Sequence, residues 1–259
     1  MITVEKMVVE AQIEIAKNIF KLVLFGDLVS KVTTPGQFVN VKITDSTDPI
    51  LPRPISIAHV DQDKQQLVLI YRIEGKGTEL LSRKQKGDVL TIIGPLGNGF
   101  PIYDMKRGQK ALLVGGGIGT PPLLELSKQL VMRGIEVIHV LGFQTKEGVI
   151  LQNELQHFGK TYLATEDGSV GMKGFVTDVI EQYQITFDRL YTCGPTPMLK
   201  ALEANFPEKE IFMSLEERMA CGIGACYACV RHTCNQDDDL GYRKICSDGP
   251  VFRSGEVVL

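Results

Sequence analysis

Lys110-Ala111-Leu112-Leu113-Val114 runs into Gly115-Gly116-Gly117-Ile118-Gly119-Thr120-Pro121-Pro122, and this junction decides how the chain is read. The apolar run is a buried strand, the glycines let backbone approach a ligand with no Cβ in the way, and proline suits a first helical turn. A strand, a glycine loop and a helix in that order present free N–H groups and a positive dipole end, a site for a dinucleotide pyrophosphate. The spacing departs from the strict G-x-G-x-x-G fingerprint, and the second strand closes as Leu141-Gly142-Phe143-Gln144 with no acid for the ribose. A tight turn without a ligand therefore stays open as the plain alternative.

Around this junction, apolar runs at 111–114, 136–141, 161–164, 189–192 and 210–215 alternate with helical stretches near 121–133, 149–157, 174–183 and 196–205. That rhythm implies right-handed crossovers and a parallel, Rossmann-like α/β sheet over 103–215. Ligands bind beyond the carboxyl ends of such strands, so Tyr191-Thr192-Cys193-Gly194-Pro195, after the fourth strand, is expected to flank the same crevice. Gly115, Gly116, Gly117, Gly119, Thr120, Cys193, Gly194 and Pro195 are the candidate NAD contacts. Cys193 by itself also reads as a small buried hydrophobe.

Upstream, residues 1–102 follow period two through Ile13, Ile15, Lys21 to Phe25, Phe38 to Ile43, Ile55 to Val60, Gln66 to Ile73 and Val89 to Ile93. Short strands broken by Gly, Pro and Asp at this spacing predict an antiparallel β-barrel or sandwich. Downstream, 216–259 is rich in Cys and Gly and too short to fold without a metal or a neighbour. Asp237-Asp238-Asp239 within it reads as a solvated hairpin tip.

The whole chain has 259 residues, 44% hydrophobic and 23% charged, with 28 Lys+Arg against 31 Asp+Glu. Such a chain buries a sizeable core, and its mild acidity (pI near 5.9) argues against nucleic acid as partner. Met1 to Ile15 lacks a basic region followed by an apolar stretch, and no apolar run reaches the about 18 residues that span a bilayer. A cytoplasmic, soluble protein is expected. Thiols there stay reduced, so five of the six cysteines falling after residue 220 point to a metal site.

Cys221, Cys226 and Cys229 are spaced C-x₄-C-x₂-C, with Cys246 following, which is the plant-type [2Fe–2S] spacing. Gly222, Gly224, Ala225 and Ala228 let the loop wrap closely and aim backbone N–H groups at sulfur. Zinc is the alternative, although its sites usually pair two C-x₂-C knuckles. Cys234 competes with Cys246 for the fourth place; lying where the chain enters a hairpin, it is taken as a spare surface thiol.

In the barrel, Pro52-Arg53-Pro54-Ile55-Ser56 starts one strand and Ile70-Tyr71-Arg72-Ile73 ends another, and Gly75-Lys76-Gly77-Thr78 follows, before an apolar pattern at Leu80-Leu81. Arg53 offers a fixed, always-charged fork for a diphosphate, and Thr78 reads as an N-cap whose helix would hold the same anion. Together with Gly94-Pro95-Leu96-Gly97-Asn98-Gly99-Phe100, the Gly115 loop and Cys193-Gly194-Pro195, these motifs resemble the ferredoxin-NADP reductase family. The resemblance implies an FAD-binding barrel in which Arg53 meets the pyrophosphate and Ser56 the flavin ring. Pro54, Ile55, Ile70, Tyr71, Arg72, Gly77 and Thr78 would line the rest. Ile55 stands where members often carry a stacking Tyr, and the cysteine segment replaces their terminal aromatic.

Glu216 to Cys229, with Cys246-Ser247-Asp248-Gly249-Pro250-Val251-Phe252, narrows the resemblance along essentially the whole chain to the electron transfer subunits of dihydroorotate dehydrogenase B. It implies FAD, one [2Fe–2S] cluster, NAD as co-substrate, and a heterotetramer of two such chains with two FMN-containing catalytic subunits. The resemblance also implies a role in pyrimidine biosynthesis. A reductase subunit of a hydrogenase or ferredoxin-linked complex, and a flavin and iron–sulfur redox sensor, are the alternatives. No catalytic acid or base is assigned, since His59, His139, His157 and His232 are scattered without a nucleophile.

Overall fold

The computed structural model describes residues 1–44, 46–235 and 237–259. Six antiparallel strands, β1 (Thr3–Ala16), β2 (Ile19–Phe25), β3 (Phe38–Lys42), β4 (Arg53–Asp61), β5 (Gln66–Arg72) and β6 (Val89–Leu96), close a barrel in the order β1-β2-β5-β4-β3-β6. Closure depends on the long β1, which pairs with β6 through Thr3 to Val8 and with β2 from Val8 to Ala16. Its register shifts between Val9 and Ala11 and between Glu14 and Ala16 are the bends that let one strand serve both edges. Alternate residues, among them Leu22, Leu24, Val39, Ile57 and Leu69, fill the interior.

One helix, α1 (Lys76–Ser82), follows β5. Its N-cap is Gly75, and Thr78 is the third helical residue. This corrects the expected cap. The Thr78 hydroxyl reaches back to accept from the Glu74 and Gly75 amides at 3.0 and 3.3 Å.

The second unit has β7 (Lys110–Gly116), α2 (Pro122–Met132), β8 (Glu136–Phe143), α3 (Gln152–Gln156), β9 (Lys160–Thr165), β10 (Met172–Lys173), α4 (Val176–Gln182), β11 (Arg189–Cys193), α5 (Thr196–Asn205) and β12 (Glu210–Ser214). The helical stretch expected over 149–157 shrinks to α3. The tail supplies a hairpin, β13 (Val230–His232) with β14 (Tyr242–Lys244), and a last strand, β15 (Val251–Arg253). The large sheet runs β10-β9-β8-β7-β11-β12-β15, and β15 alone joins it antiparallel. The cysteine-rich tail is thus sewn into the sheet, with Phe252 buried in the same core as Met213 and Ile245.

The hairpin tip differs from a simple solvated run: Asp238 accepts from the Leu240 and Gly241 amides and pairs with Arg243. A buried Arg189 grips Asp104 through two bonds of 2.6 Å, fixing the connection out of the barrel against β11. Barrel and sheet meet across Ala58, Val68 and Ile70 on one side and Leu124, Leu141 and Phe143 on the other.

Candidate functional site

All three parts converge on one cleft of about 250 Å³. Barrel strands contribute Phe38, Ile55, Ser56, Tyr71 and Arg72; the glycine loop and α2 entry contribute Ile118 and Pro121; the tail contributes Glu216, Met219 and Pro250. Pro54, Ile70 and Thr78 lie on the same wall. The Tyr71 hydroxyl accepts from Gln12 Nε2 at 2.7 Å, which fixes the ring, and burial pushes its ionisation well above the usual range. Ile55 is buried and aliphatic, Ile118 and Pro121 approach it from the glycine-loop side, and the aromatic side chains of the cleft are Phe38 and Tyr71.

Arg53 lies against the start of α1. A Cβ on Gly77 would collide with its guanidinium, so glycine at 77 is what lets the fork sit on the helix backbone. Nη1 donates to the Leu51 carbonyl at 2.8 Å, which holds the side chain there. Arg72 reaches the other way, within 3.5 Å of where a Gly117 Cβ would stand, and so spans from barrel to glycine loop. The cleft is mixed in character, with Glu74, Glu216 and Glu217 on its lining beside Arg72, and Arg53 at the start of α1 adds a second cation next to its Pro54 and Thr78 wall, which suits a diphosphate-bearing cofactor.

The two loops of the sheet interlock as expected. A Cβ on Gly116 would lie 2.7 Å from Pro195, and one on Gly119 would strike the Cys193 carbonyl, so only glycines permit this approach. Gly115, Gly116, Gly119 and Thr120 are buried beneath the loop surface, leaving Gly117 and Ile118 as its accessible crest. The Thr120 hydroxyl is buried without a partner in the described residues. Cys193 is 1% exposed and its thiol is kept protonated by burial, with Glu216 adding to that effect, which suits a packed neutral neighbour rather than a nucleophile. Beside it a cavity of about 230 Å³ is lined by Gly194, Pro195, Glu216 and Arg231. Glu216 stands open to solvent in a recess; being surrounded by protein pushes its carboxyl up, Glu74 adds to this, and Arg72 opposes it.

The tail brings the four expected cysteines together in pairs: the thiols of Cys221 and Cys226 meet, as do those of Cys229 and Cys246. Backbone amides are aimed at sulfur, from Gly224 to Cys246 at 3.2 Å and from Ile223 and Ala225 to Cys221 at 3.4 and 3.3 Å. Burial opposes ionisation of Cys221, yet the Ile223 amide, the Cys226 thiol and amide and the Ala225 amide draw it down to about 6. Gly222 and Gly224 adopt φ of +71° and +82°, which side chains resist. Burial and the neighbouring Cys229 thiol push Cys246 the other way, up to about 12, and two pairs of cysteines at plant-type spacing under amide donors suit a binuclear iron–sulfur cluster. Cys234 is exposed and its amide is tied to Glu256 instead.

Sequence reasoning missed Phe38, Ile118, Pro121, Glu216, Met219 and Pro250. For Glu216 a signal existed: an acid just beyond the carboxyl end of a parallel strand, where ligands bind.

A flavin-reductase barrel, a nucleotide-type sheet and a cysteine-rich tail meeting at one cleft define a reductase of the ferredoxin-NADP reductase type. The family model of the iron–sulfur cluster binding domain of dihydroorotate dehydrogenase B matches residues 216–258. The chain is 58% identical over 255 residues to the electron transfer subunit of dihydroorotate dehydrogenase B (NAD⁺) from Geobacillus sp. (strain WCH70), with 98% of each chain covered. It is 55% identical, at the same coverage, to the subunit from Bacillus mycoides (strain KBAB4). A solved structure of an NADH-dependent reduced ferredoxin-NADP oxidoreductase superimposes with a TM-score of 0.86 at 30% identity, covering 97% of this chain and 89% of that one. The chain belongs to the family of dihydroorotate dehydrogenase B electron transfer subunits.

Proposed function

We propose that this chain carries electrons between an FMN-containing, dihydroorotate-oxidising catalytic subunit and NAD⁺, within a heterotetramer of two copies of each, on the route to orotate and pyrimidines. The single observation that carries this reading is the cleft whose walls come from barrel, glycine loop and cysteine tail together. A cofactor held there would border the glycine loop at Ile118 and Pro121 and the tail at Glu216, Met219 and Pro250, on either side of the cysteine segment. FAD supplies the exchange between two-electron hydride and one-electron chemistry.

The residues have separable tasks. Arg53, with Gly77 and Thr78, holds the diphosphate; Pro54, Ile55, Ser56, Ile70, Tyr71 and Arg72 hold and orient the ring. Gly115, Gly116, Gly117, Gly119 and Thr120 shape the dinucleotide loop, with Cys193, Gly194 and Pro195 opposite it. Cys221, Cys226, Cys229 and Cys246 are the cluster ligands. The segments 1–102, 103–215 and 216–259 divide this work. Cys226 is exposed beside exposed Ile223 and Tyr227, a face on which the catalytic subunit can approach the cluster.

NAD rather than NADP suits the crevice. Glu147 and Asp167 flank Lys146 beyond β8, and both carboxyls are held below their usual range, by the Thr145 and Ser169 hydroxyls respectively. Two carboxylates there disfavour a 2′-phosphate. No helix among the described residues is long and apolar enough to cross a membrane, and a cytoplasmic location agrees with that. Absorbance spectra of the purified chain, together with co-purification of an untagged catalytic subunit, test the reading. Flavin and [2Fe–2S] bands with a bound FMN partner are expected; a colourless chain that binds no such partner would refute it.

A further inference from the structure

Asn40 lies within β3, completely shielded from solvent, between Pro54 of β4 and Ile93 of β6. A buried amide is costly unless both its ends are bonded. Here Nδ2 donates to the Cys221 carbonyl at 3.4 Å, while Oδ1 has no partner among the described residues. Gly222 presses onto the same amide: a Cβ there would lie 2.6 Å from Nδ2. Cross-strand from Asn40, Pro54 lines the cofactor cleft, as does Phe38 two residues earlier on β3. An apolar residue would fill this core position at lower cost, so the polar choice calls for a reason at the cysteine loop.

We propose that Asn40 is a positioning residue that fixes the cluster loop at a set distance from the cofactor cleft by holding the main chain of Cys221. The proposal rests on the cluster reading above and deepens it. The path from cleft to cluster runs through Pro54, its strand partner Asn40, and the carbonyl of a ligating cysteine. The step it would serve is the passage of one electron between flavin and cluster, with no bond made or broken between the two; in the test below NADH supplies the electrons. Asn40 does not touch the reacting atoms; it keeps that gap short.

The test uses the full chain with its cofactors, as Asn40→Ala and the near-isosteric Asn40→Asp. Stopped-flow mixing with NADH reports flavin and cluster reduction in one trace, and electron paramagnetic resonance reports the reduced cluster. The expected result is flavin reduction as in wild type, cluster reduction slowed about tenfold or more, and altered resonance line shape. Gly222→Ala should act likewise, and its combination with Asn40→Ala should fall short of the product of the two, because the added methyl then meets no amide. Wild-type rates and line shape in both Asn40 variants would overturn the proposal. Loss of FAD together with the cluster in both would also overturn it, marking Asn40 as a barrel-core residue only. A wild-type chain with no [2Fe–2S] signal would instead refute the underlying cluster reading, and the two failures are distinguishable.

Discussion

His59 of the barrel and Glu125 of α2 meet with Nδ1 and Oε2 2.8 Å apart, and the same carboxylate accepts from the Val60 amide at 3.1 Å. Burial works against the charge on Glu125, but His59 and Gln129 outweigh it and hold the carboxyl below its usual range. The pair therefore bolts the two halves of the cleft together, since Ile55 and Ile118 stand on opposite sides of this junction. Glu125→Ala leaves buried donors unpaired and should cost about 2–3 kcal/mol. Thermal unfolding checks this, and NADH oxidation with an artificial dye should fall alongside as the cleft loosens.

A second histidine sets a pH dependence. His139 is fully buried between Ser127 and Thr161, at 2.7 and 3.1 Å, and burial draws it down to about 4 against smaller opposing pulls from the Gly159 and Lys160 backbone. In an unfolded chain His titrates near ~6.5, so protons favour unfolding between these values. The stability that neutral His139 carries is whole above that unfolded value and drains as pH falls toward about 4, by about 3 kcal/mol. Melting temperatures between neutral and acidic pH should drop steeply in wild type and less in His139→Asn. Parallel profiles would contradict this.

Much of the architecture was legible in short stretches. The Gly115 loop and the spacing of Cys221, Cys226, Cys229 and Cys246 each encode their geometry within a few residues, because close backbone approach demands glycine and the cluster demands thiols at fixed steps. Met219 and Asn40 were not legible, because their roles arise only when the tail folds back onto the barrel. Thr78 misled for a local reason: its hydroxyl caps from inside the first turn, with Gly75 in the cap position. Asp238 looked solvated because Arg243 lies across a hairpin from it.

On the proposed role of Arg53, Arg53→Ala removes a charge-assisted contact to the diphosphate. FAD binding should weaken by about 1.5–3 kcal/mol, so the chain should purify pale and regain colour on adding FAD. Unchanged flavin content after long dialysis would show that Arg53 is only a surface charge.

The carboxylates Glu147 and Asp167 beside β8 predict discrimination between nucleotides. Steady-state kinetics should give a higher kcat/KM with NADH than with NADPH. The reverse order would remove the NAD assignment.

Dihydroorotate-dependent NAD⁺ reduction by the assembled complex is the most direct test of the proposed electron path. With Cys246→Ala the cluster should be lost, dihydroorotate should no longer reduce NAD⁺, and NADH oxidation with an artificial dye should persist through the flavin. Cys234→Ala should keep full iron content and full activity. Wild-type dihydroorotate activity in Cys246→Ala, or cluster loss in Cys234→Ala instead, would contradict the account.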